Sequence, residues 1–269
     1  MQVDIICVSD MIDVVRKFSL FKIHDCFFAE EKDLSGVFKI VRYAHSLTDV
    51  KKLGLKRIEM ATAYTDLTLS VEEIIEQATS NKKNVKRVMR NGGIVCAVTN
   101  DVDRYLDFFN DFAKSKHING MTREKVDSYG ANHLIFEASL DGNVLAMQTF
   151  LADPEKRIAV LWTSSNKRFG DNKERTLIGY ATRILTYWVM GYLKDHGYTI
   201  FDLGGIATEE EILRNPGLRT VNEYKLSFGC QKVSNYIYES FLYRLMHRIA
   251  LLTGVIKSND ELQEDDKND

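Results

Sequence analysis

The chain has 269 residues, 45% of them hydrophobic and 28% charged, which allows one large or two small domains with a sizeable core. A formal net charge of −2 gives no global attraction to DNA or acidic surfaces, so any contact with a polyanion must come from a local basic patch. The four cysteines, Cys7, Cys26, Cys96 and Cys230, form no C-x-x-C pair and have no histidine at ligand spacing, which excludes the common zinc signatures and a disulfide framework.

Short strands broken by loops are expected over the first sixty residues, at Val3–Val8, Phe27–Glu30, Gly36–Ala44 and Arg57–Ala61. Ser70 followed by Glu73 is a capping box, and it predicts a helix over Val71–Arg90 that stops at Gly92 and Gly93. A strand at Ile94–Val98 and an amphipathic helix at Val102–Lys114 follow, the helix carrying Tyr105, Phe108, Phe109 and Phe112. Beyond Asn132 the pattern becomes a meander. Strands at His133–Ser139 and Val144–Ala152 are joined by Asp141-Gly142, and Asp153-Pro154 leads into a third at Ile158–Ser164. A polar loop precedes a deeply buried helix at Glu174–His196, which Gly197 ends. A strand at Tyr198–Leu203, a strand at Lys232–Glu239 and an amphipathic helix at Phe241–Leu252 complete the order, and the acidic Ser258–Asp269 reads as a disordered tail.

No apolar run reaches the ~18 residues of a membrane span, and the N-terminus shows no secretory apolar stretch. With the cysteine usage, these features point to a cytoplasmic protein without a transmembrane segment.

Three segments carry the candidate chemistry. Asp202-Leu203-Gly204-Gly205 places two glycines after an apolar strand, the mark of a sharp turn or of close backbone approach to a ligand. A dinucleotide or methyl-donor loop would need several βα units afterwards, and only about sixty residues remain. A plain turn capped by Asp202 is the structural alternative. Tyr224-Lys225-Leu226-Ser227-Phe228-Gly229 offers a phenol and an ammonium, and equally reads as an ordinary helix end with a glycine cap. The basic run containing Lys86, Arg87 and Arg90 is either a solvated face or an anion-attracting cluster.

Taken together, Tyr198–Ser240 resembles the C-terminal half of the Fem-type peptidyltransferases (FemABX), a branch of the GNAT N-acyltransferase superfamily. There an Asp-(Leu/Phe)-Gly-Gly strand end precedes a Tyr-Lys-x-x-Phe-Gly helix end. Asp66-Leu67-Thr68 with Lys86, Arg87, Arg90 and Gly93 matches a second part of the family layout, so the resemblance covers roughly Tyr64 to Glu239.

The resemblance implies an α/β (α+β type) GNAT-like mixed sheet, mostly antiparallel and flanked by helices. The expected division is a reduced GNAT-like N-terminal domain over residues 1–116, an acyltransferase core over 117–257, and the tail. It also implies an N-acyltransferase moving an acyl or aminoacyl group from acyl-CoA or aminoacyl-tRNA to an amine acceptor, a small molecule or glycan precursor of the cell wall or cell envelope. The alternative is a catalytically inactive GNAT-like binding module. Lys225, Tyr224 and Asp202 inherit catalytic positions. Gly204, Gly205, Phe228, Gly229, Arg168, Lys86, Arg87 and Arg90 inherit substrate or donor contacts. The chain departs from the acetyl-CoA signature at Arg168-Phe169-Gly170-Asp171-Asn172-Lys173. Neither a tightly bound cofactor nor a metal is expected, tRNA enters only as a donor carrier, DNA is no partner, and self-association is left open.

Overall fold

The computed structural model describes residues 11–18, 21–36, 38–79, 82–83, 85–86, 93–167 and 172–252. The strand expected at Val3–Val8, the tail, and Arg87, Arg90 and Arg168 lie outside the described residues. Two compact units make up the chain, interleaved along it.

The first unit draws on residues within Met1–Met60, Ala113–Gly120 and Asn235–Asp269. Strand β1 (Ile12–Phe18) runs antiparallel to β2 (Phe21–Phe27), and β2 runs parallel to β3 (Ile40–Ser46). The part of β10 (Gln231–Ser240) from Tyr236 to Glu239 pairs antiparallel with β3. Its core gathers Cys26, Leu34, Val41, Tyr43 and Tyr238. Both tyrosines are buried but end on backbone groups: the Tyr43 hydroxyl bonds to Ser35, and that of Tyr238 donates to the Thr48 carbonyl at 2.6 Å. Apolar rings thus reach the interior while their polar tips stay satisfied. The helix expected at Phe241–Leu252 is present with those bounds, and Ser240 Oγ accepts the Tyr243 amide at its start.

The second unit comprises Ala61–Phe112 and Met121–Ser234. Its sheet runs from β4 (Leu55–Asp66) to β9 (Ile200–Ile206), β8 (Ile158–Asn166), β7 (Asn143–Asp153), β6 (His133–Leu140) and β5 (Val95–Thr99). Every neighbouring pair is antiparallel except β8 and β9. This mixed, mostly antiparallel sheet with helices against it is the fold class the sequence implies. A 24-residue helix, Asn172–Asp195, packs against β6 and β7; Ala181, Leu185, Val189, Met190 and Leu193 are buried on it. Phe136 packs edge-on to Phe150 and to Trp188 of that helix. Such rings bury large apolar areas and fix the orientation of helix and sheet. Two short helices, Glu209–Arg214 and Gly217–Leu226, follow β9.

Three expected elements take a different form. Of the strand expected at Phe27–Glu30 only Phe27 is in a strand, as the last residue of β2. The helix predicted over Val71–Arg90 is interrupted after Gln77, because Ala78 turns extended (φ −57°, ψ 138°) and the Thr79 amide donates to the Ser227 carbonyl at 3.2 Å; residues 82–83 and 85–86 are helical again. The capping box is formed as its spacing implies, with Ser70 Oγ accepting the Glu73 amide and the Glu73 carboxylate accepting that of Ser70. Strand β9 does not end at Leu203. It continues through Gly204 and Gly205 to Ile206, so the glycines lie inside a paired strand rather than in a turn after it.

Candidate active site at the parting of two parallel strands

The parallel pair β8 and β9 is joined at three positions only: Ile158 with Ile200, Ala159 with Phe201, and Val160 with Asp202. Beyond them β8 continues to Asn166 and β9 to Ile206 without further pairing to each other. Where two parallel strands stop pairing, backbone donors and acceptors leave the ladder and can serve a ligand instead.

A β-bulge in β9 marks the divergence. Across from it on β4, Gly205 faces Thr62 and Asp202 faces Tyr64, so Leu203 and Gly204 together oppose Ala63. Gly204 has φ +81°, and a Cβ there would lie 3.6 Å from the Leu161 carbonyl oxygen and 3.7 Å from Lys225 Nζ. The bulge needs the left-handed backbone that glycine adopts without strain.

Asp202 anchors the bulge from below. It is fully buried, and its Oδ1 accepts the Gly204 amide at 2.7 Å and the hydroxyl of Thr62, itself buried. A carboxylate that accepts a backbone amide two residues on holds a fixed local turn. Over the bulge comes Lys225, from the last turn of the helix Gly217–Leu226. Its Nζ donates to the Gly205 carbonyl at 2.6 Å. Burial pushes the Lys225 pKa below the usual lysine range, with the nearby Asp202 carboxylate pulling the other way.

Phe228 and Gly229 position this helix end. Phe228 is fully buried and packs on Tyr187 and Tyr224, with ring centroids 5.2 Å away in each case. Gly229 has φ +84°, and a Cβ there would meet the Gln77 backbone at 2.8 Å. The helix end is therefore locked against the end of the helix Val71–Gln77 by a contact that only glycine permits.

Tyr224, adjacent to Lys225, goes elsewhere. The Arg183 guanidinium lies 4.8 Å from its ring centroid and donates to Ser227 Oγ at 2.9 Å. The Tyr224 hydroxyl is buried beside Thr186 with no partner at hydrogen-bond geometry, and burial raises its pKa to about 12. Lys225, Asp202, Gly204 and Gly205 are thus brought together, while the Tyr224 hydroxyl turns towards the long helix. Lys86 is ion-paired to Glu76, and Lys82 bonds to the Glu76 carbonyl, so these members of the basic run hold the neighbouring helix end.

Sequence reasoning passed over Thr62, Thr65 and Cys230. The Cys230 thiol lies 3.0 Å from Thr65 Oγ1, and burial raises its pKa to about 11, which keeps it protonated at neutral pH. The signal for Cys230 was its place directly after Gly229, and that for Thr62 its alternation with Tyr64 and Asp66 along β4; Thr65 has the opposite parity and gave no such signal. Among the described residues no group of three or more His, Cys, Asp or Glu is arranged to hold a metal ion.

No family model matches the sequence, and no curated protein is similar to it. Solved structures are. One, described as FemX, superposes with a TM-score of 0.63 over 88% of this chain and 86% of its own, at 10% identity. The chain shares the fold of that structure. Another is the C-terminal domain of a protein described as a lysylphosphatidylglycerol synthetase from Agrobacterium fabrum, with a TM-score of 0.56, 13% identity, and coverage of 89% and 85%. At these identities the Fem-type likeness is one of architecture. Among the described residues no helix is long and apolar enough to cross a membrane.

Proposed function

We propose that the chain is an N-acyltransferase that moves an acyl or aminoacyl group from an activated donor to an amine where β8 and β9 stop pairing. The observation that carries this reading is the place of Lys225: a partly desolvated amine fixed by the Gly205 carbonyl, over a glycine bulge, where two strands part.

The chemistry follows from that placement. The acceptor amine attacks the donor carbonyl carbon and forms a C–N bond, and the proton it sheds passes to neutral Lys225. A lowered pKa raises the fraction of Lys225 able to accept it. The ammonium so formed faces the developing oxyanion and stabilises it. When the C–S or C–O bond to the leaving group breaks, the same proton returns to the departing thiolate or alkoxide. Asp202 and Gly204 hold the geometry and take no part in bond changes. The protonated state of Cys230 argues against a covalent acyl-enzyme at that thiol.

For the donor, acyl-CoA and aminoacyl-tRNA both fit the reaction. The fold relative described as a lysylphosphatidylglycerol synthetase supports an aminoacyl group among the candidates. The acceptor proposed is an amine of a small molecule or glycan precursor in cell-envelope synthesis, in the cytoplasm, with the stretch of chain from Ser164 to Glu174 against the donor. Incubation with a panel of acyl-CoAs and aminoacyl-tRNAs, read by thermal shift and by mass spectrometry of an added amine, tests the reading. Donor-dependent stabilisation and an N-acylated product are expected. An acylated protein side chain trapped during turnover would refute the direct-attack mechanism.

The exposed apolar face of the helix Phe241–Leu252 speaks for a second reading, a domain that binds or assembles without turnover. A folded protein that no donor stabilises would favour it.

A further inference from the structure

The C-terminal helix Phe241–Leu252 carries more apolar surface than its own packing uses. None of its residues is fully buried. Phe241, Leu245, Ile249 and Leu252 are all exposed, Leu252 at 88%, and their spacing of four, four and three residues places them along one stripe. On the same unit Phe21 and Phe38 are exposed as well, Phe38 at 91%. Between stripe and loop runs an open groove of about 530 Å³, lined by Phe21, Phe38, Leu242, Leu245 and Met246, with Lys22 and Lys39 among its walls.

The charged side chains of the helix and of the groove lining are basic, with the Asp13 carboxylate paired to His24 of that lining. The helix contains Arg244, His247 and Arg248 and no acidic residue. Arg248 is exposed beside the apolar stripe, and Lys22 and Lys39 are exposed at the groove. In a chain of net charge −2 this is a local concentration of cations against the overall balance.

We propose that this face of the first unit seats in the interfacial layer of an anionic lipid membrane. The stripe and Phe38 would enter the boundary between headgroups and acyl chains, and Lys22, Lys39, Arg244 and Arg248 would meet lipid phosphates. An amphipathic helix with aromatic and aliphatic residues on one side and cations beside them binds in this way, and its strength grows with apolar area and with anionic lipid. A second copy of the chain fits the charge less well, because a two-fold interface sets each patch against itself and brings like charges together. A single acyl chain in the groove would leave Phe241 and Leu252 uncovered. The proposal does not rest on the transfer reading and concerns only this unit.

Flotation of the full chain with lipid vesicles tests it. Vesicles of phosphatidylcholine alone are compared with vesicles containing phosphatidylglycerol, at low and high salt. The expected result is co-flotation with the anionic vesicles only, weakening as salt rises. Arg248→Glu should weaken it by at least about fivefold, the contribution of one basic residue near such a surface. The double variant Phe38→Ser, Leu252→Ser should abolish it, with the melting temperature unchanged because both side chains are exposed. Folded wild-type protein that stays unbound at low salt overturns the proposal. Equal binding by the double variant does so too. A dimer that this variant converts to monomer, without vesicle binding, would instead identify the face as a contact between copies.

Discussion

The Nζ of Lys225 donates a 2.6 Å hydrogen bond to the carbonyl of Gly205, tying a helix end to a strand twenty residues earlier. Under the transfer reading this contact aims the proton carrier, so Lys225→Met should lower turnover by about 10²–10³, the usual effect of losing one such donor. Loss of a single hydrogen bond should cost only about 1 kcal/mol of stability. The pH dependence separates the roles further. Because burial lowers the Lys225 pKa, kcat/KM should rise with pH through that lowered value and level off below the range of an exposed lysine. Lys225→Met should remove that limb, and a mutant retaining both limb and rate would return Lys225 to a helix cap.

Gly204 and Gly229 share a left-handed backbone, with φ +81° and +84°, but differ in what surrounds them. A Cβ at Gly204 meets its nearest atoms at 3.6 and 3.7 Å, ordinary contact distances, so Gly204→Ala should cost mainly backbone strain, roughly 1–2 kcal/mol. At Gly229 the same atom comes within 2.8 Å of the Gln77 backbone, which has to move. Gly229→Ala should therefore destabilise more than Gly204→Ala in denaturant titrations. Gly204→Ala should in turn affect transfer more than stability, since the strained bulge carries the Gly205 carbonyl that holds Lys225 Nζ. Equal losses of stability would refute the close-packed helix junction.

Much of the second unit was legible from the sequence because its signals are local. Asp141-Gly142 marked the β6–β7 hairpin, Ser70 and Glu73 the capping box, and the continuous apolar pattern from Leu177 to Leu193 a buried helix. What escaped depends on distant partners. The helix after Ser70 is interrupted after Gln77 because the Thr79 amide meets Ser227, a residue about 150 positions away in sequence. The pair Gly204-Gly205 reads as a turn unless β4 is known to lie alongside and absorb the extra residue as a bulge. Strand β1 showed no clear alternation, and its partner β2 begins earlier than the expected Phe27. For the site, the Asp202 and Lys225 motifs were visible, whereas Thr62, Thr65 and Cys230 join it only through strand pairing and the helix end.

Neighbouring residues on a helix point about 100° apart, and Tyr224 shows the consequence. Its hydroxyl is buried with no partner at hydrogen-bond geometry, so Tyr224→Phe removes an unsatisfied group while keeping the ring between Arg183 and Phe228. The variant should be as stable as the wild type or more so, by up to about 1 kcal/mol. Transfer should be unaffected in a parallel assay. A loss of turnover comparable to that of Lys225→Met would restore the phenol as the acid for the leaving group.

His133 opens β6 with its ring against Tyr105 and Tyr129, at 6.0 and 5.5 Å between centroids, and its buried Nε2 has no hydrogen-bond partner. Burial lowers its pKa to about 4 from the ordinary 6.5. In the folded protein the imidazole therefore stays neutral at pH values where the unfolded chain binds a proton. Between about pH 6.5 and 4 the unfolded state holds more protons, so stability falls as pH falls and is fully present above 6.5. The loss attributable to this one residue should be on the order of 2 kcal/mol, after allowing for the partial exposure of the ring. His133→Phe keeps an aromatic ring on the two tyrosines and removes the titration. Its unfolding midpoint should match the wild type near pH 7.5 and exceed it at pH 4.5. A constant difference between the two proteins across that range would show that His133 is not held neutral by the fold.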